Sequence, residues 1–464
     1  MRGESLDIDI LCKVVDNFGD IGVAYRLARA LSALPEAPRL RLIVDDLRAF
    51  SAVEPAVDPS LERQTVRGWE LFRWELSAEA IAAFAARPPR RIIQCFACPR
   101  PDWLEAILFA PEAERSLMVD LDYLTAEDYA AEFHLMPSLT RSERVAKLMF
   151  HPGFTAGTGG LIIDPPFAAA RARAARAEGR AAMRRELLGL PALAGTELEG
   201  TELSRPAIQA GTELGGTELA GHLGTELAGH LGTELADCFW TLIFSYERDY
   251  FRVVADLAAF NQQLRAASAD GCCGDRARLD EAPHGDRAQP SGIFAFVAAG
   301  KSRDCFISAW RAAGRPFPLV ELPFLPQETW DRLLLSCDFS IVRGEESWSR
   351  AALSGRPFLW QAYPQDGRHH MVKVEAFLAR LCPHFPKAGF ESLAAAYRAF
   401  NDRDRDSPET SGNESILPLL EALSPLARSP LAEGFHAFAD SVFGLGDLAR
   451  GLVDTLKARS DPTP

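Results

Sequence analysis

The stretch VVDNFGDIGVAYRLARAL, residues 14–31, joins a strand to a helix and poses the problem of function. It opens as the end of an apolar strand, breaks at Asp16-Asn17-Phe18-Gly19-Asp20, and resumes with apolar residues at steps of three and four, the period of a half-buried helix. A strand that turns straight into a helix is the first unit of an open α/β sheet. At such a turn the amide groups and macrodipole of the helix N-terminus commonly receive a ligand phosphate. Asp16 and Asp20 would repel one, which leaves open what ligand two acids at the mouth of the first helix serve.

The same alternation continues along the chain. The segments IDILCKVV, RLRLIVDD, RRIIQCFA and RSLMVDLDY read as strands, and VAYRLARALSAL and SAEAIAAFAA as helices. This βαβα order predicts a parallel, doubly wound sheet. A second set follows, with strands CFWTLIFSY, GIFAFVAAG, FPLVELPFL, DFSIVRG and PFLWQAY separated by helices such as YFRVVADLAAFNQQLRAA and PQETWDRLLLSC. Two α/β domains in tandem suit a chain of 464 residues. The predicted boundaries are a first domain over 1–190, a low-complexity insert over 191–236, a second domain over 237–430 with a polar insert at 268–292, and a helical segment over 431–464. Gly-Thr-Glu-Leu recurs at 195, 200, 211, 216, 224 and 232, a unit too small to bury a face, so a flexible insertion is expected there.

Bulk properties narrow the partners. A net charge of −14 disfavours a phosphate-tracking nucleic-acid binder and suits a basic protein partner. No uncharged run approaches the ~20 residues of a membrane helix, and the opening MRGESLDIDILCKVVD is too acidic for a secretory leader, so the expected compartment is the cytoplasm. The nine cysteines form no disulfide framework or zinc knuckle. Cys95 and Cys98 read as buried thiols at a strand exit, and His369 and His370 as ordinary polar residues near a helix start.

A second strand-to-helix turn lies in DFSIVRGEESWSRAALSG, residues 338–355. Arg343, a glycine that permits close backbone approach, and Ser347 at the expected helix start make a plausible diphosphate seat. Just upstream, Phe324, Gln327 and Trp330 surround a proline turn that suits a flat base. Taken by itself this turn also fits a capping box or a surface ion pair.

Together CKVVDNFGDIGVAYRLARAL, FHLMPS, GFTAGTGGLI, PFLPQETWDRLL, CDFSIVRGEESWSRA and SGRPFLWQAYPQ resemble the EarP family, protein-arginine rhamnosyltransferases that modify elongation factor P. The likeness runs from about residue 8 to 440, apart from the two inserts. It implies a GT-B architecture of two facing Rossmann-like domains with a cleft between them, dTDP-β-L-rhamnose as donor, an arginine of elongation factor P as acceptor, inversion at the anomeric carbon, and neither cofactor nor catalytic metal. By motif position it implies Asp20 and Glu345 as catalytic residues with Asp16 in support. It assigns donor contacts to Asn17, Phe18 and Gly19 beside the sugar, to Phe244 and Tyr246, to Phe324, Gln327 and Trp330 at the base, and to Arg343, Gly344, Glu346 and Ser347 at the diphosphate. Glu346 stands where the family pattern usually has aspartate.

On that resemblance the ligand of the first turn is a guanidinium. It is a cation with pKa above about 12 and a poor nucleophile until it is oriented and loses a proton. A carboxylate of pKa near 4 would have to take that proton uphill by about 13 kcal/mol, so it moves late, as the C–N bond forms. Glu345 has two roles open to it, stabilising the sugar cation or holding the acceptor. The rivals are a GT-B transferase acting on a lipid or glycan hydroxyl, a dinucleotide-dependent oxidoreductase, which the lack of G-x-G-x-x-G after the first strand counts against, and a non-catalytic nucleotide-sugar sensor.

Overall fold

A computed structural model describes residues 6–15, 18–190, 235–271, 290–300, 302–402, 415–424, 427 and 430–459. Asp16, Asn17 and the Gly-Thr-Glu-Leu repeats lie outside them. The chain divides into two compact units, one formed by 1–168 with 440–464 and the other by 169–439.

The first unit holds strands β1 (Asp7–Cys12), β2 (Arg39–Val44), β3 (Arg63–Val66), β4 (Trp69–Arg73), β5 (Arg91–Cys95), β6 (Ser116–Leu121), β7 (Pro137–Ser138) and β8 (Val145–Phe150). They lie in the order β3-β4-β2-β1-β5-β6-β8-β7. The two edge strands, β3 and β7, pair antiparallel, and the six between them are parallel. Those six run 3-2-1-4-5-6 in chain order, the Rossmann arrangement. Because both faces of a parallel sheet are covered, β1 is apolar on both. Ile8, Ile10 and Cys12 join the core beneath helix Gly19–Ser32, while Leu11 joins Phe72, Phe84 and Leu104 on the other face. The one charge on that strand's interior, Asp9, is buried against Arg41, whose Nη1 also donates to the carbonyls of Phe84 (3.0 Å) and Arg87 (2.7 Å).

The second unit holds β9 (Phe239–Ile243), β10 (Ile293–Val297), β11 (Leu319–Glu321), β12 (Phe339–Arg343) and β13 (Phe358–Gln361), all parallel in the order β11-β10-β9-β12-β13. This is again 3-2-1-4-5, so the expected pair of Rossmann-like domains, the domain content of a GT-B transferase, is what the chain forms.

The boundaries differ from the sequence reading. Helix Ala177–Leu188, assigned there to the first domain, belongs to the second unit, because Arg184 donates to the carbonyls of Ser336, Ala236 and Cys238 and to Asp338. Helix Leu448–Ala458 is no separate tail: Leu448, Leu452, Val453 and Leu456 complete the first unit's core. Leu235 and Ala236 already pack as buried residues of the second unit, so the first insert closes before 236. Helix Phe251–Gly271 likewise runs past the predicted start of the polar insert. No helix among the described residues is long and apolar enough to cross a membrane.

Candidate functional site

In an open α/β sheet ligands collect beyond the carboxyl ends of the strands, where neighbouring strands lead their connections to opposite faces. In the first unit that point lies between β1 and β5. Asp20 follows β1, on the first turn of helix Gly19–Ser32, and is 2% exposed. Its Oδ2 accepts the Val15 N–H at 2.7 Å and its Oδ1 the Tyr123 hydroxyl at 3.1 Å. The carboxylate is thus held from the turn and from the end of β6. Phe18 occupies the helix N-cap position without a side-chain cap bond and is 45% exposed, two residues before Asp20, and Gly19 opens the helix.

The ring of Tyr123 stacks on Phe96 with centroids 4.3 Å apart and planes 12° from parallel. Phe96 and Ala97 take left-handed φ angles of +58° and +46°, between Cys95 and Cys98. Both thiols are buried, and burial pushes their pKa values up, that of Cys98 to about 12. Inert buried thiols are what the sequence reading expected of them. Next to Tyr123, Asp122 faces the buried His151 at 3.3 Å. Gly159, whose N–H donates to the His151 carbonyl at 2.8 Å, packs so close to the Phe150 ring that a Cβ there would come within 2.2 Å of it.

In the second unit the corresponding point lies between β9 and β12. Phe244 and Tyr246 follow β9, and Arg343 ends β12, its guanidinium carbon 4.7 Å and 4.8 Å from their ring centroids. Trp330 meets Phe244 edge-on at 5.1 Å, on helix Gln327–Ser336, which begins with Gln327. Phe324 is half-exposed on the loop after β11. Phe244, Trp330, Arg343 and Tyr246 therefore form one contiguous group.

Helix Gly344–Ser354 starts earlier than its sequence suggests. Gly344 has φ +65°, and a Cβ there would meet nothing within 4 Å, so the glycine is required by backbone conformation and not by space. The open first turn, where helix N–H groups point outward, is Gly344-Glu345-Glu346. Ser347, read from sequence as the helix start, sits further in and is 6% exposed.

Several residues escaped the sequence reading. Tyr123 and Phe96 carried no local signal. Gln361, at the end of β13, accepts the Tyr246 N–H at 2.8 Å and the Ser245 hydroxyl, fixing the turn after β9. Tyr363 packs on Tyr246 at 5.2 Å. His370 is a buried bridge, not an ordinary polar residue: its Nδ1 accepts the Gln365 N–H at 3.1 Å, so Nε2 carries the proton and donates to the Asn401 carbonyl at 2.8 Å. Among the described residues no group of three His, Cys, Asp or Glu side chains could hold a metal ion.

The family model of the elongation factor P (EF-P) rhamnosyltransferase EarP matches residues 8–199 and 292–455. A protein-arginine rhamnosyltransferase of Pseudomonas putida is 31% identical over 396 residues, covering 85% of this chain and 86% of that one. Another, of Shewanella oneidensis, is 29% identical over 433 residues, covering 89% and 91%. A solved structure described as the structural basis for EarP-mediated arginine glycosylation of EF-P aligns over 98% of this chain and 99% of its own, with 20% identity and a TM-score of 0.48. The chain belongs to the EarP family of EF-P rhamnosyltransferases.

Proposed function

We propose that this protein transfers L-rhamnose from dTDP-β-L-rhamnose to an arginine side chain of elongation factor P in the cytoplasm, with inversion and without a metal or cofactor. Family membership supports the reaction class, and one observation supports the mechanism: a buried carboxylate, Asp20, is immobilised by two donors at the turn where a nucleotide-binding Rossmann domain would present amides to phosphate. In the step proposed, a terminal guanidinium nitrogen attacks the anomeric carbon as the bond to the diphosphate oxygen breaks. The nitrogen's proton passes to Asp20, and the electron pair leaves on dTDP. Positioning contributes more than basicity, since the proton moves only once C–N bonding has begun. Arg343 and the open first turn at Gly344 take up the charge growing on the diphosphate. Phe244, Phe324, Gln327 and Trp330 seat the base, with Asn17, Phe18 and Gly19 beside the sugar and Asp16 supporting the acceptor. Glu345 stabilises the sugar cation or holds the acceptor.

The test is the mass of purified elongation factor P after incubation with this protein and dTDP-rhamnose. A gain of one deoxyhexose on an arginine is expected, and Asp20→Asn should lower the rate ~100-fold or more with donor binding retained. A deoxyhexose on a lipid or glycan hydroxyl instead would replace the acceptor, and binding of dTDP-rhamnose without turnover would make the protein a sensor.

A further inference from the structure

We infer that Tyr123 is a positioning residue whose hydroxyl sets the orientation of the Asp20 carboxylate, and that the left-handed Phe96 is the platform that sets Tyr123. The inference rests on the reading of Asp20 as the proton acceptor.

A carboxylate's last torsion is broad and roughly two-fold, so the rotamer of Asp20 alone does not aim its lone pairs. Two of its donors aim them from different directions. One, the Val15 N–H, comes from a residue that is 79% exposed and adjoins the turn itself. The other comes from the sheet: Tyr123 follows β6, its N–H donates to Asp122 Oδ1 at 2.8 Å, and the Asp122 N–H donates to the Phe150 carbonyl at 3.0 Å. These bonds, one on each oxygen, fix the plane of the carboxylate and so the direction of its lone pairs.

Phe96 explains how the phenol is held. Left-handed backbone is unfavourable for a non-glycine residue, and such outliers persist where the surroundings over-determine them. Here the Phe96 N–H donates to the Leu121 carbonyl at 2.6 Å, two residues before Tyr123, and the ring lies flat on the Tyr123 ring. A glycine at 96 would adopt this φ without strain but would supply no platform.

Tyr123→Phe keeps the stacked ring and removes only the hydroxyl. Steady-state and single-turnover transfer to elongation factor P, with thermal melting, make the test. Expected is a fall in kcat of about tenfold to a hundredfold, with KM for donor and acceptor within about twofold and melting unchanged, as small misplacements of a reacting group cost such factors. Phe96→Leu, which keeps an apolar side chain without the flat face, should lower kcat in the same way by a smaller factor. Wild-type kcat in both variants overturns the inference, as does a loss confined to KM or one that follows melting. Asp20→Asn is measured beside them: if it keeps wild-type kcat, the reading of Asp20 fails, whereas an inactive Asp20→Asn with a fully active Tyr123→Phe removes the positioning role alone.

Discussion

Arg343 is gripped by Phe244: its guanidinium carbon lies 4.7 Å from that ring's centroid, with Tyr246 at 4.8 Å. Contact with two aromatic rings restrains the long side chain before any anion arrives, so less rotamer entropy is lost on binding. The same rings reach the rest of the second turn, through Trp330 on Phe244 and through Gln361 on the Tyr246 backbone.

Arg343→Ala is therefore expected to weaken dTDP binding by about tenfold to a hundredfold, the worth of a charge-assisted contact of ~1.5–3 kcal/mol. Arg343→Lys should recover little of it, because an ammonium lacks the planar, delocalised cation and the fork that grips two phosphate oxygens. Titration calorimetry with dTDP measures both, and an unchanged Kd for the alanine variant would move the diphosphate elsewhere.

Transfer should persist in excess EDTA. The open helix start at Gly344 and the Arg343 cation offer the charge that Mg²⁺ supplies to diphosphates elsewhere. Activity lost on chelation and restored by Mg²⁺ or Mn²⁺ would overturn a metal-free mechanism.

What was legible in the sequence was local. The turns after β1 and β12 announce themselves because an apolar run ends in Gly, Asp or Arg and a helical period begins at once. What the sequence hid depends on lateral strand order. Tyr123 reaches Asp20 across 103 residues only because β5 and β6 follow β1 in the sheet. The left-handed turn at Phe96-Ala97 contains no glycine to mark it. Strands β3 and β7 carry no signal because RQTV and Pro137-Ser138 are short, polar and at the sheet edges, and β4 (WELFR) and β8 (VAKLMF) go unread because charged residues interrupt their apolar runs. The placement of helix Ala177–Leu188 follows from distant partners: Arg184 bonds groups 52 to 154 residues away, Arg180 bonds Asp338, and Met183 and Leu187 are buried.

Stability should fall on acidification through His134. Its Nδ1 accepts the His151 N–H at 3.2 Å, and burial, aided by the neighbouring His151, lowers its pKa to about 4. A folded pKa below the unfolded value near 6.5 means that the folded state resists protonation. The stabilisation is therefore present above about pH 6.5 and is lost as the pH falls toward 4. His134→Gln keeps an acceptor and cannot titrate, so its melting temperature should vary less between those pH values. Parallel curves for the two proteins would place the acid sensitivity elsewhere.

The severest loss of stability is expected at Arg184. Its guanidinium donates to Asp338 at 2.6 Å, to the Ser336 carbonyl at 2.8 and 3.0 Å, and to the carbonyls of Ala236 and Cys238 at 2.9 Å, while lying 4.8 Å from the Trp240 ring centroid. Burial pushes the Asp338 carboxyl up, but Arg184 and Arg180, with the Trp240 N–H, overcome this and hold it well below the usual carboxylate range. That contribution is present at neutral pH and is lost only in acid, as the pH falls below the unfolded carboxylate value near 4. Removing one member of a buried ion pair costs about 3–5 kcal/mol, because the other charge stays buried with less compensation. Arg184→Met, which keeps the stem over Trp240, should lower the urea midpoint by about 1 M or more. Adding Asp338→Asn, whose side-chain oxygen still accepts the Trp240 N–H at its present 2.8 Å geometry but which removes the carboxylate that Arg180 also holds, should recover none of the loss. Recovery would mean that the carboxylate, and not the carbonyls stranded without Arg184, carries the cost. A midpoint unchanged in the single variant would show that the apolar contacts of helix Ala177–Leu188, with its Arg180–Asp338 and Glu186–Arg332 pairs, hold it to the second unit without Arg184.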